Sequence, residues 1–299
     1  MNYVLKLINT ICCGRGIRMN IINAIINLVN NPVTQLINYY ESRNRANNMG
    51  DALEEYVKDL FANSFDLNEV DRNRRLSDIF SYLGNNSNPP DAMLKDGDAI
   101  EVKKIESANS ALALNSSYPK HKLYSNSAMI SKACRDAEQW EEKDMIYAVG
   151  VVEKNKNILK SLCFVYGRDY CASDEVYSRI KFTIKKGVES IPGVQFAESR
   201  ELGHINKVDP LGITYMRVRG MWGIENPFKV FNYIYQRDNS KEFNFMSIID
   251  NEKWNSLENV NELIELAWQV EGLEIVDVEI KNPDNPAKLV NAKLVKFSR

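Results

Sequence analysis

The 299 residues balance 38 lysines and arginines against 40 aspartates and glutamates, a net charge of −2, with 44% hydrophobic and 26% charged residues. This describes a folded domain large enough to carry a further lobe; it excludes a disordered chain and a basic DNA-binding tail, but not DNA binding through local patches. Five scattered cysteines without a CxxC pair argue against a disulfide framework or a zinc site and place the chain in a reducing cytoplasm, and no run is long enough to span a membrane.

Residues 1–18 read as an N-terminal extension from an upstream start codon, with an extra packed helix as the other reading. Met19 opens a patterned helix over 19–30, stopped by Pro32. A second helix is expected over about 33–46. A third runs from about Gly50 to Ala62, where Leu53, Tyr56, Val57, Leu60 and Phe61 recur at i, i+3, i+4, i+7 and i+8. Arg72, Arg74 and Arg75 read as a solvated basic loop. From Ile79 to Leu83 the period changes to that of a strand, and 91–105 reads as a hairpin about Asp96-Gly97. Strands are expected at 109–115, 145–153, 159–166, 213–219 and 243–249, and helices within 127–142, at 173–188 and near 259–270. This order suggests an α/β domain around a mixed sheet. Its catalytic core spans about 48–190, and residues 191–299 form a second, C-terminal lobe for recognition or dimerisation.

The chemistry concentrates in the hairpin. Glu101 and Lys103 stand two apart on a strand and share a face, while Ile100 and Val102 turn to the core. A three-residue loop of Lys95, Asp96 and Gly97 pairs Asp91 with Glu101, whereas a two-residue turn puts Asp91 on the wrong face. The longer loop needs a left-handed third residue, a place Gly97 fills without steric cost. Two carboxylates side by side repel, and a divalent cation resolves that; an all-oxygen site favours magnesium or manganese. Lys103 beside it can orient or deprotonate a water, or hold developing negative charge. Glu54, at the edge of the third helix's apolar stripe, can look into the same cleft, while Glu55 points to solvent. A surface hairpin with ordinary charges is the bland alternative.

After the hairpin, Asn115, Ser116 and Ser117 are followed by Lys120, His121 and Lys122. Small hydrogen-bonding side chains and then cations suit phosphate contacts. Arg217 and Arg219 share one strand face and are the candidates for base readout, because arginine bidentate to guanine is the commonest specific base contact. His121 and His204, far apart in sequence, make no paired-histidine metal site; His204 is read in a loop and Cys134 as a small core residue.

Gly50-Asp51-Ala52-Leu53-Glu54, Pro90-Asp91 and Glu101-Val102-Lys103 together resemble the PD-(D/E)XK nuclease superfamily. More closely, Asn-Ser-Ser-Tyr-Pro-Lys at 115–120, Ala133-Cys134-Arg135, and Trp140 followed by Asp144 to Gly150 resemble the NgoPII-type type II restriction endonucleases. The likeness runs from about Met19 to the C-terminus. It implies a restriction-endonuclease-like mixed sheet flanked by helices, and Mg2+-assisted cleavage of duplex DNA at a short palindrome, of the GGCC type, leaving 5′-phosphate ends. It places Asp91, Glu101 and Lys103 at catalytic positions and Glu54 at the helix glutamate, with Asp91, Glu101 and Glu54 as metal ligands. The two-fold symmetry of such a palindrome calls for a homodimer, and a cognate DNA methyltransferase is expected in the same system, not as a stable partner. Two other readings remain at this stage: a repair or recombination nuclease that reads DNA structure, and a non-catalytic DNA-binding protein on the same fold.

Overall fold

The computed structural model describes residues 18–42, 45–46, 48–85, 87–153, 157–199 and 202–299; the extension read at 1–18 lies outside them except for Arg18. Four helices come first: α1 (Ile21–Asn30), α2 (Leu36–Glu41), α3 (Met49–Ala62) and α4 (Glu69–Ile79). Strands β1 (Phe80–Tyr82), β2 (Ala92–Leu94), β3 (Ala99–Ile105), β4 (Leu112–Asn115) and β5 (Lys122–Tyr124) follow. Then come α5 (Lys132–Arg135), β6 (Glu142–Glu153), β7 (Ile158–Tyr166), α6 (Gly167–Tyr170) and α7 (Asp174–Glu189). The rest comprises β8 (Gln195–Glu198), β9 (Gly203–Asn206), β10 (Met216–Val218), β11 (Trp222–Ile224), α8 (Pro227–Val230), β12 (Asn244–Asp250), α9 (Asn251–Ser256), α10 (Val260–Gln269), β13 (Leu273–Asn282) and β14 (Asn285–Ser298).

The main sheet runs β1-β2-β3-β6-β7-β12-β14-β13, with β5 also paired to β6. It is mixed: β3 lies parallel to β6 and β12 parallel to β7, and the other pairs are antiparallel. The two faces bury separate clusters. Ala92, Leu94, Ile100 and Val102 pack with α1 and α3 on one side; Met93, Ala99, Met145 and Tyr147 belong to the other. Gly150 on β6 lets α3 sit close, since a Cβ there would come 2.7 Å from Leu53 Cδ2.

Local chemistry sets the element boundaries. α1 begins where Asn20 Oδ1 accepts from the Ile22 N–H, while Asn23 Oδ1 accepts from the Asn20 N–H. α2 is shorter than expected: after Leu36 and Tyr40 the apolar anchors run out, and Arg45 turns to Glu69 (3.3 Å) and the Leu67 carbonyl (3.1 Å). The loop reading of Arg72, Arg74 and Arg75 is corrected, because they lie on α4. That helix hides from an apolar-period reading because its inner face is partly ionic. Buried Arg72 pairs with Asp59 (2.8 Å) and Glu55 (2.6 Å), so Glu55 does not stand free in solvent as expected. The helix expected within 127–142 amounts to α5, begun by the Ser131 hydroxyl accepting from the Cys134 N–H. His204 lies on β9 opposite Arg217, a strand rather than a loop.

The part beyond residue 190 divides in two. β8–β10 form a small three-stranded sheet and β11 pairs with β4, whereas β12, β13 and β14 extend the main sheet. The β13–β14 hairpin was not expected, since its outer residues are largely exposed and Pro283 and Pro286 interrupt the apolar alternation. Among the described residues, Cys134, Cys163 and Cys171 are free and buried, and no helix is long and apolar enough to cross a membrane.

Candidate active site

The hairpin register follows the three-residue loop. Ala92 pairs with Ile100 and Met93 with Ala99, and the Leu94 N–H donates to the Asp98 carbonyl across the turn (2.9 Å). Asp91 therefore falls beside Glu101. Its N–H donates to the Ile100 carbonyl (3.0 Å), and its Oδ2 accepts from the Val102 N–H (2.7 Å). Gly84 (φ +82°) lets the preceding loop close on this point, for a Cβ there would meet the Asp91 carbonyl oxygen at 2.4 Å.

One detail of the turn corrects the sequence reading. The left-handed residue is Asp96 (φ +50°), not Gly97. The Gly97 N–H donates to the Leu94 carbonyl (3.1 Å), which closes a four-residue turn and makes Asp96 its third member. Positive φ at that position is a feature of type II and type I′ turns, and aspartate tolerates it better than most residues. Lys143 fastens the turn by donating to the carbonyls of Leu94 (3.1 Å) and Gly97 (2.8 Å).

Lys103 Nζ lies 2.5 Å from Glu101 Oε1 and 3.9 Å from Asp91 Oδ2. One cation facing two carboxylates leaves a negative charge uncompensated. Burial, then repulsion from Asp91, pushes the Glu101 carboxyl up to about 7 despite Lys103. Burial opposes the charge on Lys103 as well, but Glu101 and Asp91 outweigh it and hold the ammonium above its ordinary pKa. Glu101 Oε2 is buried without a hydrogen-bond partner among the described residues. An orphaned carboxylate oxygen beside a second carboxylate is what a hard divalent cation would satisfy, so the residues present fit such an ion.

Asp91, Glu101 and Lys103 open onto a cavity of about 800 Å³. Asn115, Ser116, Ser117, Lys120, Arg217 and Arg219 line it with them, so most of the residues singled out in sequence meet in one place. Arg219 Nη2 reaches Ser116 Oγ at 3.4 Å, across the β4–β11 pairing. His121 and Lys122 are not in that lining; Lys122 pairs with Glu142 (2.5 Å) and borders a neighbouring cavity. Glu54, half-buried on α3, stands outside the lining too. Burial and then Asp91 raise its pKa, so the two charges sense each other, yet no three His, Cys, Asp or Glu side chains cluster as metal ligands among the described residues.

The cavity also contains residues not singled out in sequence. Tyr147 stands opposite Glu101 in the parallel β3–β6 register, and its hydroxyl accepts from the Lys120 N–H (2.6 Å). Tyr118 stacks on Tyr177 (5.5 Å between centroids, 20°) and meets Trp222 edge-on. Tyr118 sat in the stretch already marked by its neighbours; Tyr147 lay hidden in an apolar strand.

A mixed sheet flanked by helices is the architecture of the restriction-endonuclease-like class, and here Asp91, Glu101 and Lys103 face an arginine-lined cavity at one of its hairpins. The family model described as NgoPII restriction endonuclease matches residues 19–281, and the chain belongs to that family, the type II restriction endonucleases of NgoPII type. It is 64% identical over 279 residues to the type II restriction enzyme NgoPII of Neisseria gonorrhoeae, an alignment covering 93% of this chain and 99% of the relative. Comparison with solved structures gave no match.

Proposed function

We propose that this enzyme hydrolyses both strands of duplex DNA at a short palindrome of the GGCC type, leaving 5′-phosphate ends. The orphaned Glu101 oxygen beside Asp91 and Lys103, in the cavity that also holds Arg217 and Arg219, carries the reading. Asp91 and Glu101 would hold Mg2+, which would supply polarisation of the phosphate and a water of lowered pKa. Lys103, kept charged by its two carboxylates, acts as a donor to the phosphate oxygens as negative charge develops rather than as a base. Glu54 assists from outside the direct ligand set through its charge. Arg217 and Arg219 read guanine edges; Asn115, Ser116 and Ser117 hold the strand, and His121 and Lys122 contact it further out. The enzyme works in the cytoplasm beside a cognate methyltransferase that protects the host's own sites.

Plasmid DNA incubated with and without magnesium, followed by sequencing of the ends, tests this. Discrete 5′-phosphate ends at one palindrome are expected. Nicks that follow DNA structure would point to a repair nuclease, and a gel shift without cutting to a binding protein. The symmetry of a palindrome further calls for a two-fold dimer with one site per strand. Sedimentation with site DNA in calcium is expected to show two chains per duplex, and a stable complex with one chain would refute the dimer.

A further inference from the structure

We propose that Lys120 is a second catalytic cation of this site, one that holds a non-bridging oxygen of the scissile phosphate. The inference rests on the nuclease reading above and goes beyond it by separating Lys120 from the surrounding phosphate contacts. Lys120 is 4% exposed, yet it lines the cavity that contains Asp91, Glu101 and Lys103. Its main chain is fixed on two sides. The N–H donates to Tyr147, and the carbonyl backs onto Gly167, where a Cβ would come within 2.2 Å of it. Its Nζ stands 3.4 Å from the centroid of the Tyr118 ring. That ring is itself held by Tyr177, Trp222 and a hydrogen bond from its hydroxyl to Asp174 (2.9 Å).

The nearby lysines are engaged: Lys103 with Glu101, Lys122 with Glu142, Lys143 with two carbonyls. Lys120 differs. No carboxylate lies within 4 Å of its ammonium among the described residues. A buried cation with no counter-anion is costly, and an aromatic face offsets only part of that cost. Burial accordingly pushes its pKa down to about 8, with Lys181 adding to the shift and Asp174 and Glu101 opposing it. A cation held at that cost, on a fixed stem, where the cavity of Asp91 and Glu101 meets the neighbouring one lined by Asp174 and Lys181, is suited to an anion delivered with the substrate. In a nuclease the anion that reaches this point is the phosphate being cut.

The test pairs a protein change with a substrate change. Lys120→Met is expected to slow single-turnover cleavage of site DNA in magnesium by about 10²–10³-fold, the loss typical of one donor to a developing oxyanion. Calcium-supported binding is then measured on two duplexes, one native and one with a neutral methylphosphonate at the scissile position. Methylphosphonate should weaken binding by the wild type more than binding by Lys120→Met, because part of what it removes in the wild type is the Lys120 contact, while Lys103 and the cation account for the rest. Additive penalties, or a cleavage rate within about threefold of wild type, would overturn the assignment. If Lys120→Met melts below the assay temperature, Lys120→Gln, which removes the charge but leaves a polar group in the cavity, takes its place under the same criteria. Cutting by the wild-type preparation tests the nuclease reading separately.

Discussion

Alanine at Glu101, Asp91 or Lys103 is expected to leave a folded protein that no longer cuts DNA, with cleavage reduced at least about 10³-fold. The fold should persist because the three side chains face a cavity, while the core face of the same strand is made by Ile100 and Val102, which are untouched. The three losses should differ in kind. Removing Asp91 or Glu101 takes away one of two carboxylates that fit a cation, so metal-dependent stabilisation should vanish with activity. Removing Lys103 takes away a donor but leaves both carboxylates, so metal should still raise the melting temperature while cleavage fails. The measurements are single-turnover cleavage and thermal melting with and without magnesium on each variant. Full activity in any one of them would remove that residue from the site.

The site was legible where its parts lie close in sequence. Glu101 and Lys103 follow from the two-residue period of one strand, and Asp91 from the length of one loop. Even there the left-handed residue differs by one: residue type favours Gly97, but the turn closed by the Gly97 N–H has its positive φ at Asp96. Distant parts were not legible. Ser116 meets Arg219 only because β4 pairs with β11, a contact between residues 103 apart. Tyr147 reaches Glu101 through a parallel register that leaves no local trace. Among the fold elements, α3 announced itself by an apolar stripe. α4 did not, because part of what it buries is Arg72 against Asp59 and Glu55, and ionic burial has no apolar period.

Glu101 is expected to tie stability, cation binding and pH together. Its carboxyl is raised from an ordinary 4.5 to about 7, first by burial and then by Asp91, with Lys103 opposing. Between those values the folded protein keeps a proton that the unfolded chain has released. The unfolded state then binds fewer protons, so the stability of the metal-free protein falls as pH rises through this window, and above 7 the cost of the buried charge is fully present. The ionised form that destabilises the metal-free protein is the form a cation requires. Magnesium should therefore raise the melting temperature more at pH 8 than at pH 6, and cleavage should climb over the same interval. Asp169, raised to about 8 by burial and by Asp250, pulls metal-free stability in the same direction, so the wild type alone does not isolate Glu101. Glu101→Gln does, because glutamine has nothing to titrate. Metal-free melting should fall less steeply from pH 5 to 8 in that variant than in the wild type, and magnesium should no longer shift it. If the two proteins lose stability in parallel across that range, the raised Glu101 carboxyl is not the origin of the dependence, and the proposed coupling between its charge and the cation fails.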